Sequence, residues 1–276
     1  MDIASEPEGL LAARLVELTA EAGGALHVAR SEARAARLAE AARALAPSLR
    51  VVLVPGWDCM PYDRASPSRQ AMGHRMAALH ALAERGREPC LAIAALEAAT
   101  QRLPPPEAHA TLRLRLGAPL DPQALLRDLH RLGYAPDDRV DEPGEAALHA
   151  SVLDIHPAGG GLPCRVEHAE GRIASIRRYD PRTQRSLDEV EAVTLGPASE
   201  IVLAEGAEEP RWQGMEHALA DHCPGLVTLF DLLPGTPVVL DPEVEALRAQ
   251  RAEEVADAFR SRLALLPAGE GTRPAS

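Results

Sequence analysis

Three short apolar segments alternate with helix-like segments over the first hundred residues, and this alternation limits the folds open to the chain. Residues 25–29 (ALHVA), 50–54 (RVVLV) and 90–95 (CLAIAA) have the length and apolar content of buried strands. Ser31 and the Ser66-Pro67 pair lie between them at positions typical of helix starts. Alternating strands and helices predict a parallel sheet that is covered by helices on its faces.

The pattern changes after the proline run at residues 103–106. Residues 111–117 alternate as a half-exposed strand does, and Asp121-Pro122 begins a short helix. Glycine turns then separate three further predicted strands, which are 150–156, 164–168 and 172–179. The middle of the chain is therefore predicted to be a small, mainly antiparallel α+β domain.

The last part of the chain returns to longer apolar segments. Residues 200–204 are a predicted strand, and residues 236–240 are apolar. Asp241-Pro242 caps a long helix that runs to about Leu265. The class is therefore α/β, with a parallel-sheet domain interrupted by an inserted α+β domain. The predicted boundaries are 1–112 for the first part of the α/β domain, 113–195 for the insert, 196–266 for the return segment and 267–276 for a disordered tail.

Composition excludes several kinds of chemistry. All 29 basic residues are arginine, so the lysine that a P-loop uses to reach nucleotide phosphates is absent from this chain. Schiff-base chemistry and lysine-dependent kinase sites are excluded with it. The four cysteines are far apart, and no GxSxG, HExxH or GxGxxG motif occurs. We therefore expect no catalytic residue, no cofactor and no metal site.

The hydropathy of the chain and its net charge argue against membrane contact and general nucleic-acid binding. The chain has no apolar run of 18 residues, and its N-terminus lacks the basic and apolar regions of a signal peptide. These features predict a cytoplasmic protein that has no membrane contact. The formal net charge of −12 argues against general nucleic-acid binding, which needs a basic surface.

Residues 142–186 (EPGEAALHASVLDIHPAGGGLPCRVEHAEGRIASIRRYDPRTQRS) carry a family signature. They resemble the domain by which bacterial transcription–repair coupling factor and its relative, the excinuclease protein UvrB, contact the excinuclease protein UvrA. Three more stretches match that family in order: VPGWDCMPYDRASPS at 54–68, AATQRLPP at 98–105 and TLFDLLPGTPVVLDP at 228–242. The resemblance is to the N-terminal module of the coupling factor and covers most of the chain.

This resemblance implies a degenerate helicase-like domain without a P-loop, into which an interaction domain is inserted. It implies a non-catalytic role in transcription-coupled nucleotide excision repair, with the excinuclease protein UvrA as the partner and DNA contacted at most indirectly. No polymerase-binding domain or translocase motif accompanies it. The chain could thus be a fragment, or an eroded stand-alone remnant of the coupling factor for which Met1 is a natural start.

The resemblance also points to contact residues. The family's contact is attributed to the arginine of an ARGG turn, the arginine of a PxR strand and an aromatic residue shortly after it. The corresponding positions are His149, Arg165 and Ala169, so only Arg165 is retained. Histidine lacks the bidentate fork of guanidinium, and alanine lacks the area of an aromatic anchor. An altered or weakened contact is therefore expected. The alternative for Arg165 is an ordinary surface residue.

Two other functions remain open at this point. One is a DNA-binding accessory role in repair, which a cluster of arginines between positions 172 and 185 would serve. Asp180 is the single acidic residue in that segment. The members of the cluster are Arg172, Arg177, Arg178, Arg182 and Arg185. The other is an enzyme that uses His149, Asp154 and His156, although no third metal ligand stands at a suitable spacing. Satisfied polar residues are the simpler interpretation of those three.

Overall fold

A computed structural model describes residues 7–206 and 210–265. The helices within these residues are α1 (Glu8–Ala22), α2 (Glu32–Leu45), α3 (Arg69–Ala83), α4 (Leu96–Thr100), α5 (Pro122–Arg131), α6 (Leu219–His222) and α7 (Val244–Leu265). The strands are β1 (Gly24–Ala29), β2 (Arg50–Val54), β3 (Cys90–Ala95), β4 (Leu112–Arg115), β5 (Ala135–Pro136), β6 (Glu145–His149), β7 (Val152–Ile155), β8 (Cys164–Ala169), β9 (Arg172–Tyr179), β10 (Ser186–Glu189), β11 (Ala192–Leu195) and β12 (Val238–Leu240). The predicted disordered tail, 267–276, lies outside the described residues.

The described chain divides into two compact units. The first takes residues 7–66, 78–106 and 213–265, and the second takes 67–77, 107–206 and 210–212. The predicted insert, 113–195, lies inside the second unit, which also takes in the first half of α3. None of the helices in residues 7–206 and 210–265 is long and apolar enough to cross a membrane.

The first unit is built on a parallel sheet whose described strands follow the order β12-β1-β3-β2. Every residue of β1 and β3 is buried, which fits their continuous apolar runs. Helices α1 and α2 pack on this sheet through leucines and alanines such as Leu15 and Leu38. The predicted cap at Ser31 is confirmed, because its side chain accepts a hydrogen bond from Arg34 N.

A polar cluster joins three elements at the carboxyl end of this sheet. Asp241, which follows β12, accepts hydrogen bonds from Arg34 Nε at 2.6 Å and from Arg30 N at 3.0 Å. His27 Nε2 on β1 lies 3.4 Å from the same carboxylate, and Asp241 is only 4% exposed. Burial alone would raise the pKa of Asp241, but the hydrogen bonds from His27, Arg34 and Arg30 outweigh it and hold that pKa below the ordinary value.

The second unit contains a mainly antiparallel sheet, whose described strands run in the order β10-β9-β8-β7-β6-β5. Only the short β5–β6 pair is parallel. Strands β4 and β11 form a separate antiparallel pair. Asp121 caps α5 as predicted, and Leu125 and Leu129 pack with the buried residues of the sheet. The predicted class, a parallel α/β part with a mainly antiparallel α+β part, is confirmed at this level.

The strand predicted at residues 200–204 is wrong, because the structure has no strand there. Ile201 and Leu203 are buried, so the apolar pattern reports burial alone. Their backbone groups bond outside any ladder: Ile201 N donates to Ser199 Oγ at 3.1 Å, and Leu203 N donates to Arg131 O at 3.1 Å. The long C-terminal helix is confirmed, and Val244 is its buried residue among the described ones.

The second unit holds the first half of α3 by two close contacts. Arg75 Nε lies 3.0 Å from Glu200 Oε1, and both side chains are fully excluded from solvent. Two residues before Arg75, a Cβ added at Gly73 would lie 2.3 Å from the backbone of Ala158. Only glycine permits this approach, so residues 67–77 are fixed to the loop after β7 and to the segment around Glu200.

We expect the Arg75→Met variant to lower the free energy of unfolding by about 3–5 kcal/mol, because it removes the guanidinium that lies against Glu200 in a solvent-free interior. Urea unfolding followed by circular dichroism measures this loss. The double variant Arg75→Met/Glu200→Met should lose clearly less than the single one. Arg248→Met, which breaks an exposed pair with Glu245, is the control and should change little. Equal losses for Arg75→Met and Arg248→Met would contradict the assignment.

We expect the stability of the first unit to fall as the solution is acidified below about pH 4, because Asp241 has a lowered pKa in the folded state. Its contribution is complete above the unfolded-state pKa and is lost progressively as pH falls toward the folded-state value. Denaturant unfolding between pH 7 and pH 2 measures it. The Asp241→Asn variant should be less stable at pH 7 and should show a shallower acid dependence. An unchanged acid slope in that variant would refute the effect.

Candidate protein-interaction site

The strands of the second unit's large sheet alternate between a packed face and an open face. Leu153, Cys164, Val166 and Ile176 point into the core. The residues between them form the open face, which we define by two registered rows of side chains. The first row is Ala147, Asp154, Arg165, Arg177 and Glu189, and the second is His149, Val152, Glu167 and Ser175.

Arg165 is fixed at the centre of the first row by Asp154. Its Nε donates to Asp154 Oδ1 at 2.8 Å and its Nη2 donates to Asp154 Oδ2 at 2.7 Å, which is a bidentate pair. The guanidinium carbon lies 5.0 Å from the ring centre of Tyr179, whose hydroxyl donates to Val140 O. The hydrogen bonds to Asp154 raise the pKa of Arg165. The Arg165 side chain is 28% exposed and Asp154 only 9%, so the cation faces solvent and its anchor does not.

Arg177 on β9 is registered directly opposite Arg165 on β8. Its side chain extends toward Glu189 on the next strand, β10. It donates to Glu189 Oε1 at 2.9 Å and to Glu167 Oε1 at 3.2 Å, and these contacts raise its pKa. Ser175 Oγ donates to Glu167 at 2.9 Å. The first row therefore places an acid on β7, an arginine on each of β8 and β9, and a second acid on β10. Each arginine is bonded to the acid on the side away from the other arginine.

His149 and Ala169 lie on the same open face as Arg165. His149 ends β6, and its Nε2 is 3.1 Å from Asp138 O, which can only accept, so that nitrogen carries the proton. Ala169 ends β8 beyond a bulge whose extra residue lies on β9, so the alternation of β8 continues through it. Both residues are exposed. The structure thus places the three predicted contact positions on one face. Their role in binding stays a prediction.

The five arginines of the cluster are not brought together. Arg177 lies on the open face, whereas the adjacent Arg178 points to the other side and pairs with Asp188. Arg172 donates to Gly117 O at 2.8 Å. Arg182 and Arg185 lie in the β9–β10 loop, where Asp180 accepts from the backbone N of Arg182.

The candidate acid–base residues His149, Asp154 and His156 are also not brought together. Asp154 is engaged by Arg165, and His156 is buried, which lowers its pKa despite hydrogen bonds to the backbone of Asp141 and Gly161. Within the described ranges no group of three or more His, Cys, Asp or Glu side chains could hold a metal ion. The roles of Asp154, Tyr179 and Glu189 were missed from sequence. Strand alternation gives the face on which each lies, but the contacts require the register between strands.

A comparison with protein-family models shows which class of domain the second unit resembles. Residues 112–201 match the family model described as the UvrB interaction domain. This region includes the whole of the large sheet and so includes the open face. The core of the second unit is therefore similar to a UvrB interaction domain.

Similar proteins of known name are transcription-repair-coupling factors. The chain is 34% identical over 155 residues to the transcription-repair-coupling factor of Haemophilus influenzae, with 55% of this chain and 13% of the relative covered. It is 32% identical over 173 residues to that of Myxococcus xanthus (62% and 14% covered) and 34% identical over 162 residues to that of Escherichia coli (58% and 14% covered). The resemblance to the coupling factor's N-terminal module is confirmed, and the matches span about a seventh of the relatives' length.

We expect the Asp154→Asn variant to destabilise the second unit by about 1–3 kcal/mol. Asparagine can accept only one of the two hydrogen bonds, and Arg165 is left opposite Arg177 with less compensation. Urea unfolding at low and high salt tests this, because high salt should reduce the loss by screening the two arginines. Asp188→Asn, which removes the exposed partner of Arg178, is the matched control. A loss in the control as large as that in Asp154→Asn would contradict the special role of Asp154.

Proposed function

We propose that this chain is a non-catalytic interaction module that recruits or regulates the excinuclease protein UvrA in transcription-coupled nucleotide excision repair. The observation that carries the proposal is Arg165, a preordered cation on the open face of a UvrB interaction domain. The related coupling factors support the pathway. The proposal covers this chain alone, since it matches only a small part of its relatives.

We further propose that the first unit is a degenerate helicase-like domain that serves as a scaffold. Its parallel sheet, covered by α1 and α2, is an arrangement on which helicase-like domains are built. The absence of lysine from the sequence removes the P-loop that ATP hydrolysis would need. The proposed role of the chain is therefore binding, and the first unit carries no step of catalysis.

Arg165 suits a partner that presents an acidic group. Asp154 holds its Nε and Nη2, which leaves Nη1 and the solvent-facing edge of the guanidinium for a second carboxylate. Because the side chain is already ordered by Asp154 and Tyr179, binding loses little rotamer entropy. The contact is expected to be salt-sensitive and confined to a small area, because His149 and Ala169 add little.

A DNA-binding role receives less support from the contacts. Arg177 and Arg178, at the centre of the cluster, each pair with a carboxylate, and they point to opposite faces. Phosphate binding would require these pairs to open and would gain little net charge. We retain the DNA hypothesis only as an outcome of the binding experiment described next.

We expect the chain to bind purified UvrA of its source organism, and Arg165→Ala to weaken that binding by about tenfold or more. Isothermal titration calorimetry at two salt concentrations measures it. Arg178→Ala is the matched control, because it removes a neighbouring arginine with a carboxylate partner from the opposite face, and it should leave the affinity unchanged.

The reverse changes sharpen the same experiment. Ala169→Phe and His149→Arg restore the family's residues at two exposed positions, and each should tighten binding by several-fold. Equal losses in Arg165→Ala and Arg178→Ala would refute the open face as the site. Binding to a DNA duplex but not to UvrA would favour the DNA hypothesis instead.

A further inference from the structure

The first unit contains a cavity that the proposed function does not use. Its volume is about 480 Å³, within the range of small-molecule sites, and it opens to solvent. Trp57, Tyr62 and His217 form its aromatic walls, Gln101 and Glu216 contribute polar atoms, and Arg102 lines it as well. We call this group the aromatic cavity. Trp57 and Tyr62 belong to the family-like motif at residues 54–68.

The walls of the aromatic cavity are held in fixed positions. His217 Nδ1 accepts a hydrogen bond from Tyr62 N at 3.0 Å, and its Nε2 lies 2.9 Å from Ala65 O, so Nε2 carries the proton. Both ring nitrogens are thus used, and His217 serves as a flat wall. The Trp57 ring meets it edge-on, with 5.3 Å between the ring centres and an interplanar angle of 75°.

Tyr62 adopts a backbone conformation that bulky residues rarely adopt, with φ at 67°. Its ring packs against Phe259 at 5.1 Å between centres. The turn beside it is clamped, because Gly214 N donates to Ser66 Oγ at 2.8 Å and a Cβ at Gly214 would lie 2.9 Å from Arg64 O. A strained aromatic residue that its surroundings hold in place is characteristic of ligand sites.

The polar groups set the chemistry of the ligand. Arg102 is exposed, and its charge helps to lower the pKa of Asp231 nearby. Among residues 7–206 and 210–265 its guanidinium makes no hydrogen bond and no ion pair within 4.0 Å, so its donors are available to an anion. The carboxylate of Glu216 has lone pairs for more than one hydrogen bond and can accept from an amino group. The side-chain oxygen of Gln101 is a second acceptor. Flat walls, acceptors within and a cation together match an amino-bearing base that carries a phosphate.

We propose that the aromatic cavity binds a free mononucleotide, with the base stacked between Trp57 and Tyr62 and the phosphate on Arg102. The commitment to a mononucleotide follows from the cavity's size and from Arg102, the one arginine among its described lining residues. This site lies in the first unit and is independent of the open face. Its failure in experiment would leave the proposed function untouched.

The test is a titration of the full chain with adenosine 5′-monophosphate, followed by tryptophan fluorescence. The Trp212→Phe variant leaves Trp57 as the only indole, so the signal reports the cavity. We expect saturable quenching with a dissociation constant of about 1 mM or tighter. Arg102→Gln should weaken the nucleotide by about tenfold or more, whereas uncharged adenosine should bind both forms with equal, weak affinity.

One control variant and three contradicting outcomes complete the test. Arg87→Gln removes an exposed arginine outside the cavity and should leave the affinity unchanged. Absence of saturable quenching at about 10 mM nucleotide would overturn the proposal, as would equal effects of Arg102→Gln and Arg87→Gln. A deoxyadenosine tetranucleotide that binds more than about tenfold tighter than the mononucleotide would also overturn it, in favour of a single strand.

Discussion

The ion pair between Arg75 and Glu200 is the constraint on which the second unit depends. Both side chains are fully excluded from solvent, so breaking the pair would remove an opposite charge from each of them where water cannot replace it. The pair fixes α3 to the segment that follows β11, and the glycine contact at Gly73 makes this attachment close. Glu200 falls inside the matched region, 112–201, and Arg75 lies far before it in sequence. A domain defined by the match alone would therefore separate a buried acid from its base.

The open face shows how such a unit can present a cation reliably. Two arginines in register on neighbouring strands repel each other, and the carboxylates on their outer sides offset the repulsion. Asp154 is nearly buried, so its bond to Arg165 is screened less than the exposed bond between Arg177 and Glu189. The same acid that stabilises Arg165 also neutralises much of its field. Arg165 is consequently an oriented hydrogen-bond donor at short range more than a source of long-range attraction.

The difference between what was predictable and what was not follows the range of each interaction. The caps at Ser31 and Asp121 were predictable because capping involves only the next three residues. The buried strands β1 and β3 were predictable from apolar runs of strand length. The segment 200–204 misled because burial of Ile201 and Leu203 gives the same pattern as a strand. The pairs Arg165–Asp154 and Arg75–Glu200 depend on register and on distant chain segments, which no local pattern encodes.

The placement of β8 limits what the open face can contribute to binding. Strand β8 is interior to the sheet, so its backbone groups bond to β7 and β9 and cannot pair with a partner strand. Binding must therefore use side chains, and His149 is already bonded to Asp138 O while Ala169 offers only a methyl group. On the proposed assignment, the remaining guanidinium donors of Arg165 carry most of the contact. A partner held in this way would dissociate readily, which suits transient recruitment better than a permanent complex.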